Sequence, residues 1–112
     1  MKLRGYNRHT VWPESGAAVN HTEIEKDIEI LVESGSNYVR GGHYQQDQYF
    51  LDLCDEKGIV VWEEGLSWEN PIQDVKNPVF FEQHLIGLNE MISASFNHPS
   101  IIFFGFFNEL DT

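Results

Sequence analysis

A single cysteine, Cys54, stands in the chain, so no internal disulfide can form and no multi-cysteine zinc site can be built. It falls in an apolar helical stretch, where a small core residue is the expected role. Basic residues are also scarce: seven Lys and Arg stand against eighteen Asp and Glu, for a formal net charge of −11. That balance opposes a nucleic-acid partner, whose phosphates are bound through Lys and Arg. It equally opposes an anionic membrane surface. No apolar run approaches the roughly 20 residues that a membrane-crossing helix needs. No Lys- or Arg-headed apolar stretch opens the chain, so no signal peptide is visible and the compartment stays unassigned. Asn20-His21-Thr22 spells a glycosylation sequon, but without a visible export signal it reads as the start of a helix.

Aromatic residues are plentiful, with eight Phe, four Tyr and three Trp, and 41% of the chain is hydrophobic. Such a composition argues against global disorder. The 112 residues allow one compact domain. Aromatic rings fill cores, and they also line sugar sites, where a ring face meets the C–H face of a pyranose.

Strand-like and helix-like segments alternate. Leu3 to Asn7 is a first strand candidate. Thr22 and Glu25 have capping-box spacing, with Thr22 at the N-cap. Ile24, Ile28, Leu31 and Val32 then form a helical stripe that should stop near Ser34-Gly35. Asn37 to Arg40 is a second strand. Asp47 opens a second helix carrying Phe50, Leu51, Leu53 and Cys54, and Lys57-Gly58 signals its end. Ile59 to Trp62 is a continuous apolar run, expected of a strand buried on both faces. Gly65 to Pro78 reads as a long loop. A third helix starts at Asn77-Pro78, with Phe81, Leu85, Leu88 and Ile92 on one face. Ile101 to Phe107 is a fourth buried strand.

The order β-α-β-α-β-α-β implies an α/β fold with about four parallel strands, three helices and right-handed crossovers. A doubly wound open sheet and half of a barrel share that order, and periodicity does not separate them. Polar residues collect where the strands end: Asn7-Arg8-His9, then Arg40 with His43-Tyr44, then Glu63-Glu64, then Asn108-Glu109. The C-terminal ends of the strands are where such folds build active sites. The apolar run before Glu109 is expected to wall its carboxyl, raise its pKa and suit it to donating a proton.

The blocks Gly5-Tyr6-Asn7-Arg8-His9, Val39-Arg40-Gly41-Gly42-His43-Tyr44, Leu53 to Glu64, Asn97-His98-Pro99-Ser100-Ile101-Ile102 and Asn108-Glu109 resemble, in this order, the catalytic domain of glycoside hydrolase family 2. The resemblance spans nearly the whole chain and is specific for the family, not for a substrate. It implies that residues 1–112 are the first half of a (β/α)8 TIM barrel, strands one to four, of a retaining β-glycosidase. It implies Glu109 as acid/base, Asn108 as partner of the sugar 2-hydroxyl, and His9, Arg40 and His43 as residues that shape the sugar pocket. Glu64 matches a site carboxylate that binds a divalent cation in some members; no cofactor is otherwise required.

Several of these residues also carry plainer readings. Arg40 can pair with an acidic neighbour instead of touching sugar. Asn97 to Ser100 can simply shape the turn into strand four. Tyr44, Trp62 and Trp68 can pack as readily as stack on a sugar. Glu63 and Glu64, adjacent on a strand, face opposite ways, and Glu64 is the one expected in the pocket. The family has Arg-Asp where Ala94-Ser95 stands here, and a small residue where Leu110 follows Glu109. The family's nucleophile lies near strand seven, so the isolated chain is expected to be inactive, and none of Glu63, Glu64 or Glu69 replaces it. The expected partner is a β-glycoside, β-galactosides before β-glucuronides. The competing readings are a weak carbohydrate-binding module and a non-catalytic truncated fragment. Open barrel edges are expected to invite self-association.

Overall fold

Helical spacing of Ile24, Ile28 and Leu31 turns one stripe of α1 (His21–Glu33) inward. The same holds for Phe50, Leu51 and Cys54 on α2 (Gln48–Lys57). These side chains pack against Val39, Ile59 and Val61 to make the main core. The computed structural model describes residues 1–109. Leu110, Asp111 and Thr112 lie outside the described residues.

Four strands form one sheet in the order β1-β2-β3-β4: β1 (Gly5–Arg8), β2 (Tyr38–Gly41), β3 (Val60–Glu64) and β4 (Ile101–Gly105). Every neighbouring pair is parallel, and Asn7, Arg40, Trp62 and Phe103 follow one another across the register. Alternation along each strand sends Val39 and Val61 toward the helices and Arg40, Trp62 and Glu64 to the opposite face. Ser95 on α4 (Pro78–Ser95) bonds Gln48 of α2, so α4 joins α1 and α2 on that one face of the sheet. A doubly wound sheet carries helices on both faces and reverses its strand order. Sequential parallel strands with one outer layer of helices are the wall of a barrel.

The strand ends lie within two residues of their expected positions; the fourth closes at Gly105, ahead of Phe106 and Phe107, and it is not the buried strand expected, because Ile102 and Phe103 are exposed. Asp47 and Asn77 cap α2 and α4 as expected, each accepting from a backbone N–H two residues on. Gly58 ends α2 in the left-handed region at φ 67°. Burial pushes the Cys54 thiol up to about 12, in keeping with its place in the core.

Four local expectations need correction. Asn20, not Thr22, caps α1: its side chain accepts from the Glu23 N–H, and the Glu23 carboxylate accepts from the Asn20 N–H. Val32 is half exposed, because it has turned off the α1 stripe. The loop from Gly65 to Pro78 contains a fourth helix, α3 (Ile72–Val75). It is one turn closed on the Pro71 carbonyl, too short to show a period in sequence. On α4 the buried face is His84, Leu88, Met91 and Ser95, whereas Phe81 and Leu85 are exposed. That stripe includes two polar residues, which a hydropathy pattern passes over.

Candidate active site

At the C-terminal ends of the strands, Arg40 sits between two partners. Its Nε donates to Glu64 Oε1 at 2.5 Å and its Nη2 to Asn108 Oδ1 at 2.8 Å. The second Glu64 oxygen accepts from His43 Nδ1 at 2.8 Å. Because a carboxylate only accepts, His43 carries its proton on Nδ1 here and leaves Nε2 free. The His9 ring meets His43 edge-on, with centroids 5.3 Å apart. The structure therefore brings Arg40, His43, Glu64, Asn108 and His9 together. The Glu64 side chain is 2% exposed and that of Arg40 25%. A carboxylate so enclosed requires a cation and hydrogen bonds, and the pairing reading of Arg40 holds.

That pairing bears on the cation expected at Glu64. Both carboxylate oxygens are already engaged, one by a guanidinium that repels a metal ion. The one cluster of metal-capable groups among the described residues is Asp52, Asp55 and His98, elsewhere in the fold. The donor set at Glu64 does not fit a divalent cation.

The segment beyond β4 is held from two sides. Phe107 stacks on His84 of α4, with centroids 4.5 Å apart. Asn108 pairs with Trp68 as an isolated parallel bridge, its N–H donating to the Ser67 carbonyl at 2.9 Å and its carbonyl accepting from the Glu69 N–H at 3.0 Å. The residues that follow, Glu69 and Glu109, both adopt positive φ, 51° and 48°. Non-glycine residues rarely do so without support from their surroundings. Glu109 is exposed, and among the described residues the apolar walls expected around its carboxyl do not form. The strand run stops at Gly105, Phe107 turns toward α4 and Phe106 is exposed.

Beneath the site lies a polar layer that sequence reasoning missed. Arg8, 8% exposed, donates to Asp27 at 2.8 Å, to Thr10 at 3.0 Å and to Gln46 at 2.7 Å. Its guanidinium also lies 4.1 Å from the centroid of the Phe50 ring. Asp27 accepts from Trp12 Nε1 as well. The Gln46 N–H donates to Glu63 and its side chain to the Tyr44 carbonyl. A side chain at Gly41 would collide with Gln46, so the glycine lets Gln46 lie flat under the loop that carries His43. Burial pushes the Glu63 carboxyl up, opposed by hydrogen bonding from Ser95 and the Gln46 N–H. Glu63 faces the helices and Glu64 the site, as alternation requires. Arg8 was visible at a strand end, but Gln46 belongs to no chemical pattern and gave no signal.

Asn97 to Ser100 shape the turn into β4, as expected. Asp55 accepts from His98 Nδ1 at 2.7 Å and from the Ser100 N–H at 2.9 Å, which locks the α2 end to the start of β4.

The described residues thus form the wall of a partial α/β barrel, with a guanidinium, two imidazoles and an Asn-Glu pair gathered at its C-terminal rim. The family model described as "Glycosyl hydrolases family 2, TIM barrel domain" matches residues 1–111, and the chain belongs to this family. It is 43% identical to a β-galactosidase of Thermoanaerobacterium thermosulfurigenes, over 94% of this chain and 14% of that protein. A β-glucuronidase of Bacteroides fragilis is 38% identical over 98% of this chain and 16% of its own length. A crystal structure of a β-galacturonidase from Eisenbergiella tayi bound to galacturonate superposes with a TM-score of 0.91 at 39% identity, covering 96% of this chain and 20% of that one. The chain thus spans about a seventh to a fifth of the length of these relatives.

Proposed function

We propose that this chain supplies the acid/base half of the active site of a retaining β-glycosidase acting on galacto-configured glycosides. What carries the reading is the Arg40–Asn108 hydrogen bond at 2.8 Å. Arginine only donates, so Asn108 turns Oδ1 toward it and leaves Nδ2 to donate to the sugar 2-hydroxyl. Glu109 follows directly. In this reading its carboxyl protonates the glycosidic oxygen as the bond to the anomeric carbon breaks. A second glutamate about 5–5.5 Å away attacks that carbon, and Glu109 then takes a proton from the water that releases the sugar. His9 and His43 face the sugar hydroxyls. Glu64 acts through Arg40 and His43, with no cation required. Glu63 points to the helices, Glu64 is fully engaged, and neither substitutes for the nucleophile.

The galacto preference draws on the β-galactosidase and the β-galacturonidase among the similar proteins. β-Glucuronides are the second reading, supported by the Bacteroides fragilis relative. The test is phenol release from a panel of aryl β-glycosides by the full product of the reading frame, beside its Glu109→Gln variant. The expected loss is roughly 10²–10⁴-fold for poor leaving groups. Unchanged turnover in the variant would sink the assignment, and saturable sugar binding without turnover would favour a binding module. The 112 residues by themselves should show no turnover. They should also self-associate, because β1 and β4 are open edges and Ile102, Phe103 and Phe106 are exposed. A monomeric sedimentation profile with a sharp two-state melt would contradict that.

A further inference from the structure

Gln46 is 2% exposed, yet it belongs to residues 42–47, which join β2 to α2 without regular secondary structure. Its Oε1 accepts from Arg8 Nη1 at 2.7 Å, its Nε2 donates to the Tyr44 carbonyl at 3.0 Å, and its backbone N–H donates to Glu63 Oε1 at 3.2 Å. A guanidinium only donates and a carbonyl only accepts, so the amide has one orientation here. Arg8 is itself a fixed post, bonded to Asp27 of α1 and lying over the Phe50 ring of α2. Gln46 therefore ties the main chain of the rim loop to the core.

His43 immediately precedes Tyr44 in that loop, and its Nδ1 is held by Glu64 at 2.8 Å. One hydrogen bond leaves an imidazole able to swing about it, so the place of Nε2 depends on where the main chain holds the residue. The Tyr44 hydroxyl accepts from the Thr10 N–H at 3.0 Å, and the Tyr44 carbonyl is where the Gln46 amide grips the backbone. The Gln46 side chain bonds Arg8 and Tyr44 and touches neither Glu64 nor Asn108 through a hydrogen bond. Its influence on the site is exerted through the loop.

We propose that Gln46 is a positioning residue for glycoside hydrolysis: by gripping the Tyr44 carbonyl from the Arg8 post, it sets His43 where Nε2 meets a sugar hydroxyl. This rests on the reading of His43 as a residue that faces the sugar. Gln46→Glu separates the two side-chain bonds. It keeps an oxygen for Arg8, and with it the tie to the core, but turns a second acceptor on the Tyr44 carbonyl and loses that bond.

The test is a double-variant cycle of Gln46→Glu with His43→Ala in the full product of the reading frame. It is read as kcat/KM on the dinitrophenyl β-glycoside of the glycone that the aryl panel selects, whose good leaving group keeps slow variants measurable. It is read again as the calorimetric Kd of an iminosugar of the same configuration. Gln46→Glu is expected to lower kcat/KM and weaken Kd roughly tenfold in the parent, and by less than about twofold in the His43→Ala background. Gln46→Met, of like length and making neither bond, should give the same pattern and takes the place of Gln46→Glu if that variant does not fold. Equal losses in the two backgrounds are what a merely structural residue gives, and they overturn the proposal. So does a Gln46→Glu variant as active as the parent, or a His43→Ala variant as active as the parent. Each of these results leaves the Glu109 reading intact, which Glu109→Gln decides separately. A parent without turnover overturns both.

Discussion

Arg40 donates from β2 to Glu64 at the end of β3, at 2.5 Å, and thereby neutralises a carboxylate that is 2% exposed. The same guanidinium reaches Asn108 beyond β4, so one planar fork spans three strand ends. Lysine carries the charge but not the fork. Arg40→Lys should keep Glu64 paired and release Asn108. Loss of a hydrogen bond to a charged group is worth about 1.5–3 kcal/mol, which predicts a fall in kcat/KM of roughly 10–100-fold with the melting temperature little changed. Wild-type kinetics in this variant would remove Arg40 from the positioning of Asn108.

Asp55 joins α2 to β4. Burial pushes its carboxyl up, but hydrogen bonds from Ser100 and His98 outweigh that and hold it below the ordinary carboxylate range. For a carboxyl depressed in the folded state, the unfolded chain binds the proton more readily. Its stabilisation is therefore fully present above the unfolded pKa of roughly 4 and fades as pH falls through the lower folded value. Asp55→Asn should reduce the urea midpoint at pH 7 and flatten the loss of stability on acidification. Parallel acid-unfolding curves for parent and variant would contradict the linkage.

Two overlapping capping boxes compete at the start of α1. Asn20 with Glu23 and Thr22 with Glu25 have the same spacing, and the fold uses the first. Asn20→Ala should cost about 1 kcal/mol, whereas Thr22→Ala, lying inside the helix, should change stability by less than about 0.5 kcal/mol. Urea denaturation of the two variants side by side decides it, and the reverse ranking would return the cap to Thr22.

Sequence by itself determined the alternation of parallel strands and helices, the caps at Asp47 and Asn77, the stop at Gly58 and the burial of Cys54. Each depends on local spacing or on one residue's backbone preference, and such signals survive without tertiary context. The gathering of His9, Arg40, His43, Glu64 and Asn108 was legible because parallel strands bring all their C-terminal ends to one rim. Only the tertiary structure decided that the helices share one face, since a crossover's side of the sheet leaves no mark in periodicity. It also decided which α4 stripe is buried, with His84 and Ser95 chosen by their partners rather than by hydropathy. The placement of Gln46 beneath the rim likewise came from the close approach that Gly41 permits. Pairing Arg40 with both Glu64 and Asn108, and leaving Glu109 exposed beyond the end of β4, required contacts between residues far apart in the chain, which no local pattern records.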